Sequence, residues 1–250
     1  MTSEDQFADV DVIVVGAGNA ASVAALTAHQ QGAKVVVLEA APPALRGGNS
    51  AFTGGAFRFA YNSVEDLKVL APDMNETELK DIDFGTYTED QFFDDMARMS
   101  QYRCDPELTS IVVKSSYQTA LWMTQQGVRL HPAVGRQAFK VDGKFRFWGG
   151  LALHMNGGGQ QLVQTLHDAL AKAGVPILYE TPAVGLLFDG SRVSGVRVSQ
   201  GGAYHEIRAK SVVLACGSFE SNPEMRARYL GPGWDLAKVR GTRFNQGAGL

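Results

Sequence analysis

Cysteine, basic excess and long apolar runs are all scarce, and each scarcity removes a class of protein. The two cysteines, Cys104 and Cys216, stand 112 positions apart, too few for a disulfide scaffold and suited to a reducing cytosol. Lys plus Arg is 23 against 26 for Asp plus Glu, a formal net charge of −3, so there is no basic footprint for nucleic acid or an anionic membrane. No uninterrupted apolar run approaches the ~18 residues of a membrane span. The first ten residues, Met1 to Val10, are acidic and lack the basic and apolar regions of a signal peptide. The expectation is a cytoplasmic globular protein with no nucleic-acid partner and no transmembrane segment. No His lies at metal-ligand spacing from Cys or another His, so no metal is expected. No Ser-His-Asp or paired-carboxylate arrangement stands out, and the catalytic residues stay unassigned.

Glycine is what the sequence has in excess: 28 of 250 residues, where average usage is about 7%. Clustered glycine marks backbone that must approach something closely. Asp11 to Val15 is a β-branched strand ending at Gly16. Ala20 to Gln31 reads as a helix with a small-residue surface, stopped by Gly32, and Lys34 to Leu38 as a second strand closing on Glu39. Strand, tight turn, helix and strand make a βαβ unit with parallel pairing and a right-handed crossover.

From Ser63 to Gln126 the pattern is helical. Thr88 to Gln101 reads as an amphipathic helix with Phe92, Phe93, Met96 and Met99 inward, and Pro106 opens a long helix running to Gln126. Val128 to Gly150 reads as irregular. Gly157-Gly158-Gly159 precedes a helix over Gln160 to Ala173, and Pro176 to Tyr179 is a strand. Val184 to Phe188, Val193 to Val198 and Ala203 to Arg208 form a three-stranded meander, with Asp189-Gly190 as a hairpin signal. A separate buried strand, Ser211 to Ala215, ends at Cys216-Gly217. The reading is one α/β domain over 1–250, incomplete, with a mainly helical insertion at 61–147 and helices on the sheet face opposite the meander.

The sharpest motif is Gly16-Ala17-Gly18-Asn19-Ala20-Ala21, which follows a strand and opens a helix. Gly16 permits the tight turn, Gly18 lets the backbone approach a pyrophosphate, and Ala21 lets the helix pack on the strand. The helix N-terminus offers N–H groups and positive partial charge to the phosphates. Glu39, 21 residues after Gly18, is placed to accept hydrogen bonds from ribose hydroxyls. A second glycine-rich stretch, Arg46 to Gly55, holds two glycine pairs with hydroxyl and amide groups between them. FAD needs such a second cradle because it extends well beyond the first phosphate turn; NAD does not.

These segments resemble the FAD-binding module of the fumarate reductase and succinate dehydrogenase flavoprotein superfamily. The resemblance continues in order through Gly157-Gly158-Gly159, the strand into Glu180-Thr181 and Val184, the meander, and Ser211 to Asn222. Trp148-Gly149-Gly150-Leu151, the glycine triplet and Gly231 to Asn245 look most like the superfamily's FAD-dependent tricarballylate dehydrogenases. The resemblance implies a Rossmann-like fold. It implies cofactor contacts at Gly16, Gly18, Asn19, Ala20, Ala21, Glu39, Ala40, Gly47, Gly48, Asn49, Ser50, Thr53, Gly54, Gly55, Val184, Ala215, Cys216 and Gly217. Val184 would hold the adenine through its backbone. Cys216 would lie beside the pyrophosphate side, and as a side chain it reads equally as a small core residue.

Two departures bear on the cofactor. No His occupies the linkage loop at Gly48-Asn49-Ser50, so FAD is expected to be noncovalent. The family's Thr-Gly-Asp-Gly reads Gln246-Gly247-Ala248-Gly249, without the carboxylate. A third concerns extent: the family's capping domain and final flavin-holding segment do not occur before Leu250. The expected activity is FAD-dependent hydride transfer with a small carboxylic acid such as tricarballylate, passing electrons to an unidentified acceptor, and the isolated chain is expected to be inactive. The alternatives are a non-catalytic flavin-binding fragment, or a member acting on fumarate or a ketosteroid. His29 and His167 read as surface or boundary residues on helices; Arg136, Arg146 and Trp148 read as loop residues able to face a substrate.

Overall fold

The computed structural model describes residues 8–147 and 149–250, the side chains of residues 77 and 78 excepted; Trp148 lies outside them. The chain divides into two compact units, Met1–Thr53 with Leu162–Leu250, and Gly54–Gln161.

The first unit opens with β1 (Val10–Val15), α1 (Asn19–Gln30) and β2 (Val35–Leu38). β1 pairs in parallel with β2, Val12 opposite Val35. Ile13, Val14 and all of β2 are buried, as expected of strands covered on both faces. The small side chains Ala21, Ser22 and Ala25 are buried with Leu26 on α1, which lets the helix sit close to β1 and β2. Gly32, at φ +86°, turns the chain out of the helix.

The second unit holds β3 (Ala56–Phe57), α2 (Val64–Leu70), α3 (Glu76–Lys80), β4 (Ile82–Asp83), α4 (Glu89–Met99) and α5 (Pro106–Gln125). It continues with β5 (Leu130–Pro132), α6 (Val134–Gln137), β6 (Ala138–Val141), β7 (Lys144–Phe147) and β8 (Leu153–Met155). The starts of its helices are written in the sequence. Ser63 with Asp66, and Thr88 with Gln91, form capping boxes. Asp105 caps α5, with Pro106 in its first turn.

Two expectations fail in this unit. Phe92 is buried but Met99, on the same face two turns on, is 79% exposed as the last residue of α4. The stretch 128–150 is not irregular: it supplies β5, β6 and β7, and the unit contains two three-stranded sheets, β3-β8-β5 and β4-β7-β6. The β6–β7 hairpin turns at Asp142-Gly143, both with positive φ, the two-residue turn whose twist suits antiparallel strands.

The chain then forms α7 (Gly158–Lys172), β9 (Ile177–Leu178), β10 (Ala183–Phe188), β11 (Val193–Gln200), β12 (Ala203–Leu214) and α8 (Pro223–Leu230). The first unit's sheet has the order β10-β11-β12-β1-β2-β9. The third meander strand and the returning strand are one twelve-residue strand, not two. Its first half pairs antiparallel with β11 and its second half parallel with β1, since neither Ala209 nor Lys210 breaks the extended backbone. Ile13, Val15, Val36 and Leu38 cluster with Val196, Val198 and Ile207. The meander therefore covers the one face of β1 and β2 that carries these four side chains. Side chains alternate along a strand, so α1 packs on the other face.

Candidate functional site

At the carboxyl ends of β1, β2 and β12 the first unit has a cleft of about 740 Å³, the usual location for a ligand on a parallel sheet. Of the residues expected at a cofactor, Gly16, Gly18, Asn19, Ala20, Glu39, Ala40, Gly47, Gly48, Asn49, Ser50, Val184, Ala215, Cys216 and Gly217 line it. Ala21 is instead fully buried on the packed face of α1. Thr53, Gly54 and Gly55 do not line the cleft, and the last two belong to the second unit.

The glycines are needed for different reasons. Gly16 has φ +106°, and a Cβ there would stand 2.5 Å from the Ala215 carbonyl oxygen; it lets β1 and β12 end side by side. A Cβ at Gly18 would lie 3.2 Å from Ser50 Oγ. A Cβ at Gly47 (φ +91°) would enter the Val163 side chain, whereas one at Gly48 (φ +56°) would meet nothing closer than Asn245 Oδ1 at 3.9 Å. In the same loop Ser50 Oγ accepts from the Asn19 N–H at 3.0 Å, and Asn49 Oδ1 accepts from the Thr242 N–H at 2.8 Å. The loop thus braces both the start of α1 and the segment near the chain's end.

Glu39 is 6% exposed. Its Oε2 accepts from the Ala17 N–H at 3.1 Å and its Oε1 from the Ala41 N–H at 2.8 Å. Burial pushes its carboxyl above the usual range, and the backbone N–H groups of Ala41 and Ala17 oppose that rise. Each carboxylate oxygen keeps a second acceptor site for a hydroxyl. His167 is neither surface nor boundary: it is 6% exposed, because its ring reaches Ala17 across 150 residues of sequence. Nε2 lies 2.8 Å from the Ala17 oxygen and Nδ1 lies 3.3 Å from the Tyr179 hydroxyl. Burial holds its pKa below the ordinary histidine value. His29 is half-buried.

A dinucleotide fits this donor set. No side chain caps α1 through Gly18, and its first turn carries no acidic residue, so no acidic side chain of the helix itself competes for its positive end. Asn19 Oδ1 and Ser22 Oγ are buried in that turn with no partner. Pro182, Val184 and Leu186 give the cleft an apolar side for a flat heterocycle. The sequence reading missed Pro182, Leu186, Glu220, Phe244 and Asn245, which also line the cleft. Glu220 Oε2 accepts from Asn245 Nδ2 at 3.0 Å. The nearest signal was position: Glu220 follows the Cys216-Gly217 turn by three residues.

In the second unit, Arg146 lies on β7 and pairs with Asp83 at 2.9 Å, while Arg136 is exposed on α6. Among the described residues, no cluster of three or more His, Cys, Asp or Glu could hold a metal. Among them, too, no helix is long and apolar enough to cross a membrane.

Residues 11–242 match the FAD binding domain family, and the chain belongs to it, within the superfamily of fumarate reductase flavoproteins. It is 27% identical over 220 residues to the NADH:fumarate oxidoreductase of Klebsiella pneumoniae (strain 342), which covers 88% of this chain and 21% of that protein. It is 28% identical over 288 residues to the 3-oxosteroid 1-dehydrogenase of Mycobacterium tuberculosis (strain ATCC 25618 / H37Rv), covering 88% of this chain and 49% of that one. The open conformation of a flavocytochrome c3 fumarate reductase superposes with a TM-score of 0.73 at 26% identity, over 96% of this chain and 39% of that chain. The chain thus spans between about a fifth and a half of the length of these curated relatives, and the family assigns it FAD as cofactor.

Proposed function

We propose that the protein is an FAD-dependent oxidoreductase that moves a hydride between the flavin and a carbon next to an acid group of a small carboxylic acid. The observation that carries this reading is the first unit's dinucleotide cleft, in a chain whose relatives include a fumarate oxidoreductase and a fumarate reductase. Bound FAD supplies the hydride chemistry, while the protein supplies binding, orientation and electrostatics. In this chain Gly18, Asn19 and Ala20 would hold the pyrophosphate, Glu39 the ribose hydroxyls, and Ala40 with Val184 the adenine. No histidine lines the cleft among the described residues, which supports noncovalent FAD. Acid precipitation should leave the yellow colour in the supernatant; colour in the pellet refutes it. The reading places the protein in the cytoplasm, which fractionation tests.

Tricarballylate, succinate and fumarate are the substrates to try first, with a dye as electron carrier in each direction. The 28% match to a 3-oxosteroid 1-dehydrogenase favours a second reading, a ketosteroid substrate. Turnover of 3-ketosteroids with none of the acids would select it. FAD binding with no turnover of either class fits both the expected inactivity of the isolated chain and a non-catalytic flavin-binding role; turnover of any of these substrates excludes that role.

A further inference from the structure

We infer that His167 is a positioning residue of the flavin site, one that fixes the peptide between Ala17 and Gly18 and so sets flavin affinity. This rests on the chain binding FAD and is independent of the substrate reading. Ala17 sits between Gly16 and Gly18, the residue type with the widest backbone freedom, at the point where β1 gives way to α1. A peptide flanked by glycine can rotate to exchange its N–H and C=O edges at little steric cost. Here that exchange would turn an acceptor toward the place where a phosphate needs donors.

His167 prevents it, while Glu39 holds the preceding Gly16–Ala17 peptide. Ala17 is 1% exposed, so its backbone groups must be satisfied by protein. Glu39 takes the Ala17 N–H at 3.1 Å and His167 takes the Ala17 carbonyl at 2.8 Å. A carbonyl only accepts, so Nε2 carries the proton; Nδ1 of the neutral ring then accepts from the Tyr179 hydroxyl at 3.3 Å. In a trans peptide the N–H points opposite the C=O. By holding the Ala17 oxygen, His167 therefore aims the Gly18 N–H away from α7, and Gly18 lines the cleft. The far ends of both restraints share an anchor. Tyr179 follows β9, which pairs with β2, and the Glu39 N–H donates to the Leu178 oxygen at 2.8 Å.

The test separates a donor from a space-filler. His167→Leu keeps bulk and removes the donor; His167→Gln returns an N–H at similar reach. FAD affinity is read by flavin fluorescence quenching, beside apo-protein thermal melts. The Leu variant should bind FAD about tenfold more weakly, about 1.4 kcal/mol, and the Gln variant within about threefold of the parent on the same scale. Equal affinity of His and Leu forms overturns the inference, and so does a Gln form as weak as the Leu form. If the Leu variant fails to fold, the Gln variant still decides, together with ¹⁵N-histidine spectra of the unaltered apo protein. Those should show the Nε2–H tautomer of His167 near neutral pH; an Nδ1–H tautomer or an imidazolium overturns the inference.

Discussion

Gly47-Gly48 and Gly54-Gly55 lie seven residues apart in one glycine-rich stretch and read alike in sequence, yet their surroundings differ. Gly48 borders the dinucleotide cleft, and nothing stands within 3.9 Å of where its side chain would begin. Gly54 is pressed by the Arg136 guanidinium. At Gly55 (φ +74°) a Cβ would sit 2.9 Å from Met155 Cβ and 3.1 Å from the Gly158 backbone. Gly48 leaves room for something from outside, whereas Gly47, against Val163, and the Gly54-Gly55 pair are hemmed in by the protein itself. Glycine density shows where a side chain cannot be; only packing shows what excludes it.

Substitution sharpens that contrast, and the largest effect is expected outside both pairs. Gly16→Ala forces a Cβ into the Ala215 carbonyl at a positive φ. Backbone strain of about 1–3 kcal/mol and overpacking of about 1–3 kcal/mol should together lower apo stability by roughly 3 kcal/mol in chemical denaturation. Gly55→Ala, against backbone and Met155, should cost about 2 kcal/mol by the same two effects. Gly48→Ala meets no neighbour and should cost apo stability only about 1 kcal/mol of strain, yet weaken FAD at least tenfold by filling the cleft. An apo protein destabilised equally by Gly48→Ala and Gly55→Ala, with flavin affinity unchanged, would erase the distinction.

Glu39→Gln comes next. The carboxylate accepts two backbone N–H groups from opposite sides, and an amide has only one accepting atom. Its NH₂ would face the N–H of Ala17 or Ala41, leaving a buried donor without a partner at about 1–3 kcal/mol. FAD should bind about tenfold more weakly, as read by equilibrium titration. Unchanged affinity would reduce Glu39 to a strand-end residue.

How much of this was legible follows the range of the interactions. The βαβ unit could be read because its signals are local: a β-branched run, Gly16 and Gly18, a small-faced helix, and an acid at the right distance. The helix starts at Ser63, Thr88 and Asp105 were local too. The length of β12 was hidden because no Gly or Pro marks the point where its partner changes from β11 to β1. Asp142-Gly143 carries the same hairpin signal as Asp189-Gly190, but its strands are four residues each and half exposed, so little hydrophobic alternation framed it. The burial of His167 and the placing of Glu220 and Asn245 in the cleft come from partners far away in sequence, which spacing does not encode.

The smallest expected effect is the response to acid, and it compares histidines across the two units. His167 in the first unit and His154 in the second both have pKa values lowered, chiefly by burial. For His154 the neighbouring His131, its cross-strand partner with rings 4.2 Å apart, adds to the shift. A base whose folded pKa lies below its unfolded value of 6.5 contributes stability above that value and loses it as pH falls toward the folded pKa. Glu39 runs the other way. Its folded pKa is raised above 4.5, so its contribution is fully present below 4.5 and is lost as pH rises through the folded value. Below pH 6.5 the histidines should therefore lower stability while Glu39 partly offsets them. Replacing His167 with Gln should flatten the first unit's share of the loss, and replacing His154 with Gln the second unit's. The two differ in their partners: His167 has both ring nitrogens engaged, whereas His154 Nδ1 and His131 Nε2 are buried without one. FAD affinity should consequently follow pH in the parent protein and in His154→Gln, and follow it less in His167→Gln. A flavin-affinity profile that His154→Gln flattens as much as His167→Gln would break the assignment of the two histidines to different tasks.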